Sequence, residues 1–213
     1  MTDQSFKKTE LEAFLERLAE AVPTPGGGSA ATLSGATAAA LLEMVAGVSQ
    51  RRKGAPRDRL QVLCASAQRI RTQLTESMEE DANAYNGVDK ALRHPKDTEE
   101  QADRRRELLE QALKQAAQVP LNTADKALQL LKLADELYPL IGKQLTSDLS
   151  CAGHLALTCV RGALDNVDVN AFSIRDESFR HELRKERIRI QEEAESQAKS
   201  LLLEVERALS AWL

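Results

Sequence analysis

The sequence contains very few aromatic residues: phenylalanine, tyrosine and tryptophan together make up 3% of its 213 positions. A hydrophobic core must therefore be built from leucine, alanine and valine. Because strands favour aromatic and β-branched side chains, such a core suits packed helices better than a β-sheet. No stretch shows the sustained apolar–polar alternation that is typical of a strand. The composition predicts an all-α protein.

An excess of basic residues is also missing. There are 29 lysines and arginines against 33 aspartates and glutamates, for a net charge of −4, and the two signs alternate along the chain. The short run 104–106 consists of three arginines, but it lies among acidic residues, as on a solvated helix face. A nucleic-acid-binding protein concentrates basic residues on one face. We therefore expect no nucleic-acid partner.

Cysteine is scarce, and its three positions favour a structural role. Cys151 and Cys159 are eight residues apart on one predicted helix, about 12 Å along its axis, which is too far for a disulfide. These two and Cys64 lie among apolar residues, so we expect buried thiols in a reducing compartment. No cysteine–histidine spacing resembles a zinc site, and we expect no metal and no redox cofactor.

Long runs of large apolar residues are absent as well. The first eight residues contain none that could serve as a signal peptide. The most apolar segment, residues 30–48, contains Glu43 and consists mainly of small residues, so a buried core helix is the better interpretation than a membrane span. We expect a cytoplasmic protein with no membrane partner.

What the sequence does contain is a series of helix signals. Thr9 and Glu12 form a capping box before the first apolar helix face. The six prolines mark predicted helix ends or bends, and Pro120 is expected to bend a helix or start a new one. We find no repeat and no linker. The pattern predicts about seven helices in a single-domain bundle spanning residues 1–213.

Small residues recur every four positions on the second predicted helix, at Ala31, Gly35 and Ala39. Such a stripe lets another helix backbone approach closely. The sequence alone leaves open whether that helix belongs to the same chain or to a partner subunit.

Three consecutive glycines, Gly26, Gly27 and Gly28, precede this helix, and Ser29 lies at or near its N-cap. Backbone N–H groups at a helix start are unpaired and lie at the positive end of the helix dipole, where electron-rich oxygen atoms bind. A plain tight turn would have the same spacing. The Lys-Ser/Thr ending of a phosphate-binding loop is absent.

An acidic residue, Asp81, interrupts the apolar seam of the long third helix. It occupies a position in the seven-residue series that contains Leu60, Ala67, Leu74 and Val88. A carboxylate there needs a partner or a shifted pKa, and burial raises the pKa toward the range useful for a general acid or base. A buried ion pair or a solvated turn would also explain it.

Three further places carry polar groups suited to a site. Ser147 and Asp148 begin a helix, and an ordinary helix cap explains them equally well. Asn166 and Asn170 end the same helix with amides that can both donate and accept hydrogen bonds. Lys53 belongs to a basic loop that could hold a polyanionic tail, although solvated loop residues are the commoner case.

Taken together, these motifs resemble the formiminotetrahydrofolate cyclodeaminase domain and the related bacterial methenyltetrahydrofolate cyclohydrolases. The matching segments, in chain order, are Pro23-Thr24-Pro25-Gly26-Gly27-Gly28-Ser29-Ala30-Ala31, Glu80-Asp81-Ala82 with Ala84-Tyr85, Val119-Pro120-Leu121, Ser147-Asp148, and Ala163-Leu164 with Asn166-Val167 and Val169-Asn170. The proline–glycine string is highly specific. The resemblance spans roughly residues 9–183.

The resemblance implies an all-α fold, a homodimer and a reduced folate, possibly polyglutamylated, as the substrate. It implies cyclodeamination of 5-formiminotetrahydrofolate to 5,10-methenyltetrahydrofolate with release of ammonia, and cyclohydrolysis to 10-formyltetrahydrofolate is the alternative. The expected catalytic residues are Asp81, Ser147 and Asp148. The expected substrate-binding residues are Gly26, Gly27, Gly28, Ser29, Lys53, Asn166 and Asn170.

Two departures from the family pattern keep a third alternative open. The loop before Ser147 is one residue shorter than usual and lacks its asparagine, and Gly54 follows Lys53 where the family has an aromatic residue. A non-enzymatic helical homodimer that has lost the site would carry such changes.

Overall fold

The computed structural model of the chain describes residues 10–211, and these form an all-α bundle. Six α-helices and two single 3-10 turns, at Tyr138–Leu140 and Lys143–Leu145, make up this part of the chain. The prediction of an all-α fold is confirmed. Thr9, one of the two residues of the expected capping box, lies outside the described residues. The helices are α1 (Leu11–Ala19), α2 (Gly27–Gln50), α3 (Arg57–Leu92), α4 (Glu99–Leu137), α5 (Thr146–Ala171) and α6 (Glu177–Ser210).

Four long helices form the centre of the bundle. Helix α2 packs on α3 and α5, and α4 closes the ring between α3 and α5. Short connections make successive helices antiparallel, as in other bundles. Helix α6 lies across α4 and α5. The core between them is built almost entirely from leucine, alanine, valine and isoleucine, as the composition predicts.

Helix α4 runs without a break through Pro120, so no new helix starts there and the described residues form six helices where about seven were expected. Proline removes one backbone hydrogen bond from a helix interior. Here both flanks of the proline are anchored in the core, through Ala117 on one side and Leu121 and Ala124 on the other. Packing of these apolar residues outweighs the local preference for a helix end.

The small-residue stripe of α2 faces α5 of the same chain and not a partner subunit. A Cβ atom on Gly35 would lie 2.6 Å from Sγ of Cys159, and one on Gly162 would lie 2.9 Å from Cβ of Ala31. Neither approach leaves room for a side chain. The two backbones come close because glycine occupies both contact points.

Helix α2 is long and apolar enough to cross a membrane by length and composition, and it alone passes that test among the described residues. Half of its most apolar window is buried inside the protein, against α3 and α5. Its single charged side chain, Glu43, accepts a hydrogen bond from Arg71 of α3 at 2.8 Å. These contacts are those of a core helix.

The three cysteines are unpaired but differ in burial. Cys159 is fully buried, and burial raises the pKa of its thiol to about 12. Cys64 is partly buried. Cys151 is exposed, so the expectation that all three thiols are buried is wrong for this residue. The buried stripe of α5 runs through Leu149, Ala152 and Ala156, and position 151 falls outside it.

Candidate functional site

The triglycine run begins α2 and leaves its first amides unpaired within the helix. Gly26 is the N-cap, and the first helical hydrogen bond runs from the Ala30 N–H to the Gly26 carbonyl at 3.0 Å. The N–H groups of Gly27, Gly28 and Ser29 precede that bond, and no side chain caps them. They therefore remain available to a ligand at the positive end of the helix dipole.

The carboxylate of Asp81 lies against this helix start. Because α3 runs antiparallel to α2, a residue late in α3 reaches the first turn of α2. A Cβ atom placed on Gly28 would lie only 2.6 Å from Oδ1 of Asp81, so glycine is what allows the carboxylate to approach. The buried hydroxyl of Ser29 donates a hydrogen bond to Oδ2 of Asp81 at 3.3 Å.

Ser29 therefore serves the carboxylate and not the helix cap. It is the third residue of α2, and its hydroxyl bonds across to α3. The expectation that it lies at or near the N-cap is wrong by three positions, because Gly26 takes that role.

Burial raises the pKa of Asp81 above its usual value, and the hydrogen bond from Ser29 lowers it in part. The seam position that suggested this residue is confirmed: Leu60, Ala67 and Leu74 are buried at the preceding positions of the series. A partly buried carboxyl with a raised pKa holds a proton more readily than an exposed one and can both accept and return it. This is the chemistry that a general acid–base needs.

A cavity of about 220 Å³ opens in front of the carboxylate. Polar groups and apolar side chains share its wall, which suits a flat heterocycle that carries polar edges. The lining residues are Pro23, Thr24, Gly26, Gly27, Gly28, Asp81, Ala84, Tyr85, Val88, Leu113, Ala116, Asn166 and Asn170.

Both asparagines of the cavity wall have one amide hydrogen committed. Nδ2 of Asn166 donates to the Gly162 carbonyl at 2.8 Å, and Nδ2 of Asn170 donates to the Ala116 carbonyl at 2.7 Å. These bonds fix each amide and leave Oδ1 as a hydrogen-bond acceptor. The cavity thus offers acceptors from three side chains and donors from the start of α2.

The apolar residues of the cavity wall were not predicted as site residues from the sequence. Tyr85 lies four residues after Asp81 and therefore on the same helix face, a spacing that could have identified it. Leu113 and Ala116 reach the cavity from α4, and nothing in the local sequence indicates that contact.

Three expected site residues lie at the other end of the bundle. Lys53 follows α2 and is separated from Gly28 by about 33 Å of helix, at 1.5 Å per residue. Ser147 and Asp148 begin α5, about 28 Å of helix away from Asn166. The Arg52 guanidinium donates to the Leu140 carbonyl at 3.0 Å and joins the two loops of this distal end.

Within one chain, Ser147 and Asp148, which were expected to act together with Asp81, do not reach its carboxylate, because α5 spans the bundle between them. Lys53, which was expected to bind the substrate, does not line the Asp81 cavity either. The structure brings together Gly26, Gly27, Gly28, Ser29, Asp81, Asn166 and Asn170, and it leaves Lys53, Ser147 and Asp148 apart from them.

Comparison with known proteins places this geometry in a family. Residues 10–189 match the family described as formiminotransferase-cyclodeaminase. A methenyltetrahydrofolate cyclohydrolase from Methylorubrum extorquens AM1 is 35% identical over 83% of this chain and 86% of its own length. The formimidoyltransferase-cyclodeaminases of Sus scrofa and Rattus norvegicus are 31% and 32% identical over 94% of this chain, which spans 37% of their length.

A solved structure shows the same fold. The crystal structure of formiminotetrahydrofolate cyclodeaminase from Thermotoga maritima matches with a TM-score of 0.81 and 29% sequence identity, over 96% of this chain and 98% of that one. The relatives are cyclodeaminase or cyclohydrolase enzymes by name. The chain belongs to the formiminotransferase-cyclodeaminase family and shares the all-α fold of the Thermotoga maritima cyclodeaminase.

Proposed function

We propose that the protein is a methenyltetrahydrofolate cyclohydrolase, which hydrolyses 5,10-methenyltetrahydrofolate to 10-formyltetrahydrofolate. The observation that carries the proposal is the Asp81 carboxylate, held by Ser29 against the open helix start inside a cavity. The higher identity to a cyclohydrolase, 35% against 29–32% for the three cyclodeaminases, supports this reaction ahead of cyclodeamination, the reaction that the motif resemblance implies first.

The proposed reaction uses Asp81 as a general base beside a cation. The methenyl carbon bridges N5 and N10 and carries a delocalised positive charge, which an ionised carboxylate stabilises. Asp81 accepts a proton as water adds to this carbon. The hydroxyl proton then leaves as the C=O bond forms and the bond from carbon to N5 breaks. N5 takes up one proton, so one proton is released overall.

The other groups of the cavity bind and orient the substrate in this proposal. The N–H groups at the start of α2 donate to a carbonyl edge of the pterin. Oδ1 of Asn166 and Oδ1 of Asn170 accept from its N–H groups, and Tyr85 packs against its ring. No metal or redox cofactor takes part.

Cyclodeamination is the second candidate, because the Thermotoga maritima cyclodeaminase matches along nearly its whole length. In that reaction N10 attacks the formimino carbon on N5, and ammonia leaves after protonation. The tetrahedral carbon lies between the same two nitrogens. Asp81 would then act as the acid that protonates the leaving nitrogen.

Two assays on the purified protein separate the candidates. Loss of the methenyl chromophore, measured against the uncatalysed rate, reports cyclohydrolysis. Appearance of that chromophore from 5-formiminotetrahydrofolate together with free ammonia reports cyclodeamination. Turnover of neither compound would refute the enzymatic proposal and leave the non-enzymatic homodimer.

Asp81→Asn tests the catalytic role directly. We expect a loss of kcat by a factor of about 10² to 10⁴, the usual contribution of a general acid–base. Glu80→Gln is the matched control, since Glu80 is an exposed neighbour on the same helix and its variant should keep wild-type turnover. Turnover of Asp81→Asn within a few-fold of wild type would remove Asp81 from the mechanism.

We also propose a homodimer in which the distal end of one copy completes the cavity of the other. The family resemblance and the separation of Ser147, Asp148 and Lys53 from Asp81 within one chain support this. Lys53 would then meet the glutamate tail of a polyglutamylated folate. Mixing inactive Asp81→Asn and Asp148→Asn subunits should restore about a quarter of wild-type activity in a two-fold dimer. No recovery, or an active Asp148→Asn protein, would refute the shared site.

A cytoplasmic location completes the proposal. Three unpaired cysteines, of which one is exposed, suit a reducing compartment. Cell fractionation with an antibody against the protein tests it, and recovery in a secreted or membrane fraction would contradict it.

A further inference from the structure

Pro120 leaves one backbone carbonyl of α4 without its helical donor. In an α-helix the N–H of each residue donates to the carbonyl four positions earlier, and proline has no N–H. The carbonyl concerned is that of Ala116. The proline ring also crowds this carbonyl and turns it away from the helix axis. Ala116 is buried, so its carbonyl needs a hydrogen-bond donor from elsewhere in the protein. The same residue lines the Asp81 cavity.

The side chain of Asn170 supplies that donor from another helix. Its Nδ2 lies 2.7 Å from the Ala116 carbonyl, in a partly buried bond that joins α5 to α4. A carbonyl can only accept a hydrogen bond, so the nitrogen of the amide must face α4. The oxygen of the same amide is then left for a ligand in the cavity that Asn170 lines.

Asn166 gives a useful contrast on the same wall. Its Nδ2 donates to the Gly162 carbonyl, one turn earlier on its own helix. The orientation of Asn166 is therefore set within α5, whereas that of Asn170 depends on α4.

We infer that Pro120 is a positioning residue of the folate site: by freeing the Ala116 carbonyl, it orients Asn170 so that Oδ1 accepts a hydrogen bond from an N–H group of the bound heterocycle. The inference rests on the proposed function for the identity of the ligand. It also explains why a proline occupies the interior of a long helix, where alanine would be more favourable.

The link between Pro120 and Asn170 can be measured without any ligand. The chain has five asparagines, so selective ¹⁵N labelling yields five side-chain amide signals, and Asn170→Ala identifies the relevant one. Pro120→Ala restores the N–H of α4 to compete for the Ala116 carbonyl. We expect the Asn170 signal to shift and its hydrogens to exchange faster, while the Asn166 signal stays in place. Pro95→Ala, in the exposed loop between α3 and α4, is the control. An unmoved Asn170 signal overturns the inference.

The effect of Pro120→Ala on the folate site is measured by comparing the change in KM with the change in kcat. We expect Pro120→Ala to raise KM for methenyltetrahydrofolate about tenfold, the worth of one hydrogen bond, with a smaller change in kcat. Its thermal midpoint should stay or rise, because a helix-breaking residue has been removed. In an Asn170→Ala background, Pro120→Ala should raise KM no further. An equal rise in both backgrounds overturns the inference.

Asn170→Asp tests the contact between Asn170 and the Ala116 carbonyl independently, because it leaves α4 unchanged. It retains an acceptor oxygen but has no donor for the Ala116 carbonyl. We expect KM to rise at least as far as in Asn170→Ala, and a wild-type KM would overturn the inference. If the wild-type protein converts no folate, the proposed function fails, while the amide signals still decide whether Pro120 orients Asn170.

Discussion

Gly28 and Asp81 form a close pair in which the absence of one side chain makes room for the other. A Cβ atom built on Gly28 with ideal geometry would lie 2.6 Å from the Asp81 carboxylate. The third glycine of the run is thus explained by a contact across helices. The carboxylate can therefore lie beside the positive end of the α2 dipole, and no side chain at position 28 encloses it.

Gly28→Ala should therefore reduce activity without unfolding the protein. The added methyl group displaces the carboxylate, and we expect kcat to fall about tenfold or more because misplacement of a catalytic group is costly. Gly47→Ala is the control on the same helix, since nothing lies within 4 Å of its added methyl group. It should keep full activity and gain about 0.5–1 kcal/mol of stability. Equal activity of the two variants would contradict the close approach.

Ser29→Ala should change the pH dependence of the reaction. The Ser29 hydroxyl stabilises the ionised carboxylate and lowers the pKa of Asp81, so its removal raises that pKa further. A general base is lost as the pH falls through its pKa. The acid limb of the kcat/KM profile should therefore move to higher pH. Ser34→Ala is the control, because the Ser34 hydroxyl bonds within its own helix. An unshifted limb would show that Asp81 is not the titrating base.

Asp81→Asn should stabilise the protein at neutral pH. Burial raises the folded-state pKa of Asp81 above its ordinary value of 3.8. The contribution of protonated Asp81 to the free energy of unfolding is fully present below its ordinary pKa. That contribution is lost as the pH rises through the raised folded-state pKa and the side chain ionises. Urea unfolding should show the variant more stable than wild type near pH 7, with a smaller difference near pH 4. A variant that is less stable at pH 7 would indicate a structural role for the charge.

At the scale of helices, the contact between α2 and α5 depends on glycine. Gly35 and Gly162 both lie where a side chain would overlap a residue of the opposite helix. Since α2 holds the triglycine run and α5 holds the two asparagines, this contact also sets the width of the cavity.

Gly35→Ala should destabilise the fold by about 1–3 kcal/mol through overpacking, despite the better helix propensity of alanine. Cys159→Ala removes the sulfur atom that the new methyl group would meet at 2.6 Å. The double variant should therefore recover part of the loss, which urea unfolding of the four proteins measures as a coupling energy. Additive effects would contradict the direct contact.

Much of this helical arrangement could be predicted from the sequence. The apolar seam of α3 identified Asp81 as an exception, and the small-residue stripe of α2 indicated a close helix. No new helix starts at Pro120, because Ala117 and Leu121 on either side of it are held in the core. Those contacts come from other helices, and no local pattern contains them.

At the scale of the molecule, the bundle separates the family motifs into two ends. Gly28, Asp81 and Asn170 meet at one end, while Lys53 and Asp148 lie at the other. Part of this was readable from the sequence, since the helix that runs from Gly28 to Gln50, just before Lys53, is about 33 Å long at 1.5 Å per residue. The packing of whole helices decides which residues of α4 line the cavity. No local sequence pattern indicates them.

The central claim is that a reduced folate binds between the triglycine helix start and Asp81. A crystal structure of the Asp81→Asn variant with 5,10-methenyltetrahydrofolate tests it most directly. We predict the methenyl carbon within reach of residue 81, directly or through one water molecule, and the pterin edge against the amides of Gly27 and Gly28. Folate bound elsewhere, with an empty cavity at residue 81, would contradict the account.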